Sequence, residues 1–163
     1  MIRLFLSAWM LSIQTPDSTA RAQMSDALVA MADSLTGLRG AAAQFVRDLE
    51  SASPDLVFGR ARTVLARCTA VRAAAAQLDS VYARHANDIA RDRGVTAFRG
   101  ELRNLERELA RCEREWEVSS RPERADSLRA WGPHRLARLD DAVRRYQNAA
   151  SGLPYRPKAR GPR

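Results

Sequence analysis

Residues 24–49 read MSDALVAMADSLTGLRGAAAQFVRDL, and their apolar beat decides the fold. Met24, Leu28, Met31, Leu35, Leu38, Ala42, Phe45 and Leu49 step four, three, four, three without a slip. That spacing lays one apolar stripe along a helix, and such a stripe has to be buried. The same beat returns three times. Val57, Ala61, Val64, Cys68, Val71, Ala75, Leu78, Tyr82 and His85 form a second seam. Val95, Phe98, Leu102, Leu105, Leu109, Cys112 and Trp116 form a third, and Leu136, Leu139, Val143, Tyr146 and Ala150 a fourth. Four seams that must cover one another predict an all-α chain, an antiparallel up-down-up-down four-helix bundle with heptad-like seams. An elongated helical hairpin that forms a homodimer is the other arrangement such seams permit.

Punctuation sets the expected helices at about 23–52, 54–87, 95–119 and 121–151. Ser53-Pro54 offers an N-cap followed by proline at the first helical position. Gly94 offers the left-handed backbone of a turn. Ser120-Arg121-Pro122-Glu123 has the form of a capping box. Trp131-Gly132-Pro133 predicts a break at 131–133, because proline removes a hydrogen bond and crowds the preceding turn. A turn centred on residue 53 sets Leu28 against Leu78 and Phe45 against Ala61, large against small. The second and third helices then align Cys68 with Cys112 and Tyr82 with Phe98. The third and fourth align Leu105 with Leu136 and Phe98 with Val143.

With 163 residues the chain has the length of one domain and enough of it to bury a core. Its formal charge of +8 is unevenly spread. Residues 155–163 carry Arg156, Lys158, Arg160 and Arg163 without an acid, and residues 1–22 contribute one net charge, leaving +3 for the body. Residues 154–163 therefore read as a short basic disordered C-terminal tail, proline-rich and without pattern. Arg156, Lys158, Arg160 and Arg163 are candidate contacts to an anionic surface.

The first 22 residues have the parts of a secretory signal peptide: Arg3, an apolar run from Leu4 to Ile13, and Ala20-Arg21-Ala22 as a cleavage site. Ten apolar residues are too few to span a bilayer, which takes about 20. The expected product is residues 23–153 as the bundle, periplasmic or secreted. In an oxidising compartment Cys68 and Cys112 would be joined as a disulfide. In a reducing one they would be two small apolar fillers.

Recognisable chemistry is sparse. There is no C-x-x-C, H-E-x-x-H, Walker loop, G-x-S-x-G or Glu-x-x-His. The chain is therefore expected to be no enzyme, to hold no metal and to need no cofactor. His85, with Asp88 three residues on, reads as a hydrated histidine at the mouth of the bundle. Haem held between Met24 or Met31 and His85 is the carrier reading. Glu101 to Glu117 alternates in sign and reads as a solvated face, with a charged docking surface as its functional counterpart. Gly37, Gly40 and the run Ala73 to Ala76 thin two helices, with tight packing as the plainer expectation and a shallow groove as the other. The function these features imply is an exported, non-enzymatic helical protein of a bacterial envelope, working through an unknown protein or an anionic envelope surface. The alternatives are a small-ligand or haem carrier, and a cytosolic nucleic-acid-associated protein in which the N-terminus is retained.

Overall fold

The computed structural model describes residues 16–49, 51–119 and 124–155. Every regular element among them is helical: α1 (Pro16–Asp48), α2 (Pro54–Arg84), α3 (Ala86–Ile89), α4 (Val95–Ser119) and α5 (Ala125–Ser151). No helix among the described residues is long and apolar enough to cross a membrane.

Four elements are long, as the seams require, and the fifth is a single turn in the connection between α2 and α4. His85 ends α2 with φ −112° and ψ 17°, and its amide donates to Val81 and Tyr82. The chain then winds once more and drives Ile89 fully into the core. Gly94 completes the turn at φ +84°, where its missing side chain leaves room for the Gly152 carbonyl. A Cβ there would lie 3.2 Å from that oxygen. At the other end of α2, Ser53 caps the helix by accepting from the Leu56 amide at 3.4 Å, with Pro54 at the first helical position.

Helix limits depart from the expected ones at several points. α1 starts at Pro16, seven residues before the expected start, with proline where its absent N–H goes unmissed. α1 stops at Asp48, not at residue 52, and α2 at Arg84, not at residue 87. The expected break at 131–133 is absent: α5 runs through Pro133 without interruption. The lost hydrogen bond there is one of many, and packing holds both flanks. Trp131 stands edge-on to Trp116 at 5.4 Å, and Gly132 is buried beneath Phe45. The capping box at 120–123 lies outside the described residues.

The pairings are antiparallel and follow the chain. α1 packs most extensively on α2, α4 on α5, and α2 on α4. At one end of the first pair His85 meets Gln23; at the other Arg60 meets Asp48 at 2.6 Å. α2 and α4 are held in step by Cys68 against Cys112, Arg99 against Asp79, and the Arg99 guanidinium 4.0 Å over the Tyr82 ring. α4 and α5 sit about one turn from the expected register. Phe98 faces Tyr146 at 5.6 Å where Val143 was expected, and Glu108 meets Arg138. The edge-on Trp116–Trp131 contact fixes this offset.

Nearly every seam residue is buried; Ala42, His85 and Ala150 are half-buried. Ala20, Ala27, Val81, Ala125, Leu128 and Ala142 widen the stripes. Each large aliphatic side chain so removed from water contributes about 1.5–3 kcal/mol before the entropy of ordering it. Arg129 closes one end of the molecule. Its Nε donates to the Leu49 carbonyl at 3.1 Å, at the end of α1, and its Nη2 to the Ala52 carbonyl, in the connection to α2.

Candidate functional site

Cys68 and Cys112 come from the facing seams of α2 and α4, and both are buried. Their sulfurs stand at disulfide distance, with the Cα atoms 6.7 Å apart. This is within the span a disulfide bridges, about 4.4–6.8 Å. The pair follows from register: the turn carrying Arg99 over Tyr82 at one end of α2 and α4 brings the cysteines level farther along. With Cys68 fully buried and Cys112 6% exposed, the pair has the setting of a structural tie between helices.

His85 has partners at both ring nitrogens. Nε2 is 2.9 Å from Gln23 Oε1, and Nδ1 is 3.8 Å from Asp88. Met24 and Met31 are wholly enclosed in the core. The haem reading would therefore have to displace Gln23 and open the interior around a methionine. Among the described residues no three His, Cys, Asp or Glu side chains gather as a metal would require.

The connection before α4 holds a polar knot that periodicity does not reveal. Asp92, in the connection before α4, accepts from the Tyr155 hydroxyl and lies 3.6 Å from Arg21 of α1. Three distant parts of the chain meet there. Tyr155 is 4% exposed, so the chain is held down as far as this residue, which the reading from composition had placed in the tail. Leu153 and Tyr155, both buried, are the apolar anchors of this segment.

α1 and α5 meet only thinly, and between them runs an apolar groove of about 420 Å³, floored by Leu28, Leu35 and Tyr146 and closed at one end by Tyr155. Ala32 and Ala150 leave it open. The Tyr146 hydroxyl is buried without a hydrogen-bond partner among the described residues, and that burial pushes its pKa well above the usual phenolic range. At Gly37 the space is covered by the Arg67 side chain, whose Nη1 would lie 3.4 Å from a Cβ there. Ala76 does line a hollow, together with Arg72 and Arg103.

Arg156, Lys158, Arg160 and Arg163 lie outside the described residues, as does the apolar run from Leu4 to Ile13. The cleavage motif lies within α1. Ala20 is fully buried and Arg21 reaches Asp92, so removal of residues up to Ala22 would open the core at that end and break the Arg21 contact. Compared with known protein families, curated proteins and solved structures, the chain matches none.

Proposed function

We propose that this chain is an exported, non-enzymatic protein of the bacterial cell envelope, an up-down-up-down four-helix bundle that acts by contact with an anionic surface or another protein. The observation carrying this reading is the pair Cys68 and Cys112 at bonding distance in the interior. A tie of that kind persists in an oxidising compartment and is kept reduced in the cytosol. The tail cations Arg156, Lys158, Arg160 and Arg163 supply the anionic-surface contact, each adding at most about 1 kcal/mol near an acidic leaflet.

Two measurements on protein from the native host test it. Thiol titration after unfolding without reductant finds no free thiol if the chain is exported; two per chain refute the bond. N-terminal sequencing finds a processed start near Gln23, whereas an intact Met1 in the cytosol removes the export reading. Deleting residues 156–163 and measuring binding to anionic vesicles across salt then tests the tail. Binding that is steeply salt-sensitive and lost with the deletion upholds it.

The second reading is a carrier of a small apolar ligand, and the α1–α5 groove is the observation that favours it. A solvatochromic dye displaced by medium-chain fatty acids, with Leu28→Trp abolishing uptake, would replace the contact reading with this one.

A further inference from the structure

The outer face of α4 carries a row of arginines that the fold leaves available. Arg103, Arg107 and Arg114 are exposed and lie along about 16 Å of the helix. Among the described residues Arg103 and Arg114 form no ion pair, and Arg107 is held by Asn104 alone. On one side of this row lies a hollow of about 720 Å³ against α2, where Arg72 joins Arg103 and Arg107. On the other lies one of about 580 Å³ against α5, where Arg145 joins Arg107, Arg111 and Arg114. Both hollows are bordered by Arg107 and Ala110, and the small side chain of Ala110 forms the saddle between them across the helix.

Cations outnumber anions on this path. Among the described residues the first hollow holds Glu106 as its only acid, and the second Glu108, which Arg111 and Arg138 already engage at 3.5 and 3.3 Å. Glu113 is taken up by Arg72, and Arg145 is held by Asp141 and lies 3.6 Å from Glu101, so the surplus of positive charge rests on Arg103, Arg107 and Arg114. Planar guanidinium forks in such a series fit phosphate oxygens two at a time. No aromatic residue lines either hollow. Proteins that grip single-stranded nucleic acid stack its bases on aromatic side chains, and a face without them reads charge and backbone only. The two large apolar side chains exposed among the described residues, Val46 and Leu56, belong to α1 and α2, so nothing on this face inserts into a bilayer. These features favour a strand whose charges are in its backbone and which has no bases.

We propose that the Ala110 saddle of α4 binds a linear phosphodiester polymer of the cell surface, laid across the helix from Arg72 and Arg103 to Arg114 and Arg145. The choice of a surface polymer rests on the export reading; the saddle itself does not, nor does it use the tail.

The test measures binding of fluorescein-labelled poly(glycerol phosphate) to the full chain at low salt. Single-stranded DNA of equal charge and anionic vesicles serve as the other arms. The variant Arg103→Gln/Arg107→Gln/Arg114→Gln removes no ion pair that holds the fold, and is expected to weaken binding at least about tenfold. Ala110→Gln fills the saddle without changing charge, and is expected to weaken it about fivefold. Both are checked for native helicity and melting temperature; a double Arg103→Gln/Arg114→Gln variant serves if the triple one is unstable. Unchanged binding by the arginine variant overturns the site, and unchanged binding by Ala110→Gln overturns the saddle in favour of a diffuse field. Tighter binding to DNA or vesicles than to the polymer overturns the partner. Loss of binding on deleting 156–163, with the arginine variant unaffected, overturns the saddle and leaves the tail reading standing; the reverse result overturns the tail alone.

Discussion

Phe45 occupies the space that a side chain on Gly132 would need. A Cβ built there would lie 2.8 Å from Phe45 Cε1 and 3.0 Å from Cζ, with Trp116 at 3.8 Å. Phe45 in turn stands edge-on to Trp116 at 4.9 Å, and Trp116 to Trp131 at 5.4 Å. One glycine thus lets α5 approach the aromatic stack closely enough to be locked by it. Gly132→Ala is expected to destabilise the protein by about 1–3 kcal/mol despite the higher helix propensity of alanine, because overpacking outweighs the gain. Phe45→Leu in the same chain should recover part of that loss. If Gly132→Ala melts at or above the wild-type temperature, the close packing of α5 on Phe45 is wrong.

The seams made most of the core legible, and the reasons for the exceptions are local. The α2–α4 register was readable because two uninterrupted seams carry Cys68 and Cys112 at matching heights. The α4–α5 register was not, because Trp131-Gly132-Pro133 has the composition of a break while its residues serve as packing surface. Ile89, Leu153 and Tyr155 follow turns, where periodicity carries no signal, and only tertiary contacts show them to be buried. The Asp92 knot joins residues 21, 92 and 155, a proximity no local pattern encodes. Of the residues singled out for function, the cysteines come together. The four tail cations lie outside the described residues, and the arginine row of α4 was visible only as alternating charge.

Joining Cys68 to Cys112 closes a segment with sequence separation 44. Restricting the unfolded chain in this way is worth roughly 4 kcal/mol at most. Cys68→Ala/Cys112→Ala in oxidised protein should therefore lower stability by about 2–4 kcal/mol in denaturant unfolding. A reductant should lower the wild type toward the variant and leave the variant unmoved. Equal melting of the wild type with and without reductant would show that the sulfurs are not bonded.

Leu102 is on the buried seam of α4 and is 1% exposed. Leu102→Ala should reduce stability by about 2–5 kcal/mol through lost burial and the cavity left behind. An effect below about 0.5 kcal/mol, typical of surface positions, would place this residue outside the core.

Asp48, the last residue of α1, accepts from Gln44 Nε2 at 3.0 Å and from Arg60 Nε at 2.6 Å. The Gln44 bond first, and Arg60 second, hold its carboxyl below the ordinary value of 3.8. A carboxylate lowered in the folded state stabilises the fold above its unfolded pKa, and the benefit fades as pH falls through the folded one. Thermal melts of the wild type should therefore decline more steeply below pH 3.8 than those of Asp48→Asn. Parallel curves for the two proteins would mean that Asp48 gains nothing from Gln44 and Arg60.

Tyr146 presents the opposite case, a buried hydroxyl at the floor of the α1–α5 groove with no hydrogen-bond partner among the described residues. Leaving such a group unbonded costs about 1–3 kcal/mol, so its deletion should not harm the fold. Tyr146→Phe is expected to be neutral, or more stable by about 1 kcal/mol, at pH 7. The pH dependence follows from the same burial. The folded chain holds the phenolic proton more tightly than the unfolded chain, whose tyrosine ionises near 10.0. Stability is then full below that pH and falls as pH rises above it. The phenylalanine variant should lose this part of the alkaline decline, which melts between pH 8 and 11 would register against the wild type. If Tyr146→Phe is instead less stable by more than about 1 kcal/mol at neutral pH, the hydroxyl has an ordered water as partner, and the groove floor is wetter than its apolar lining implies.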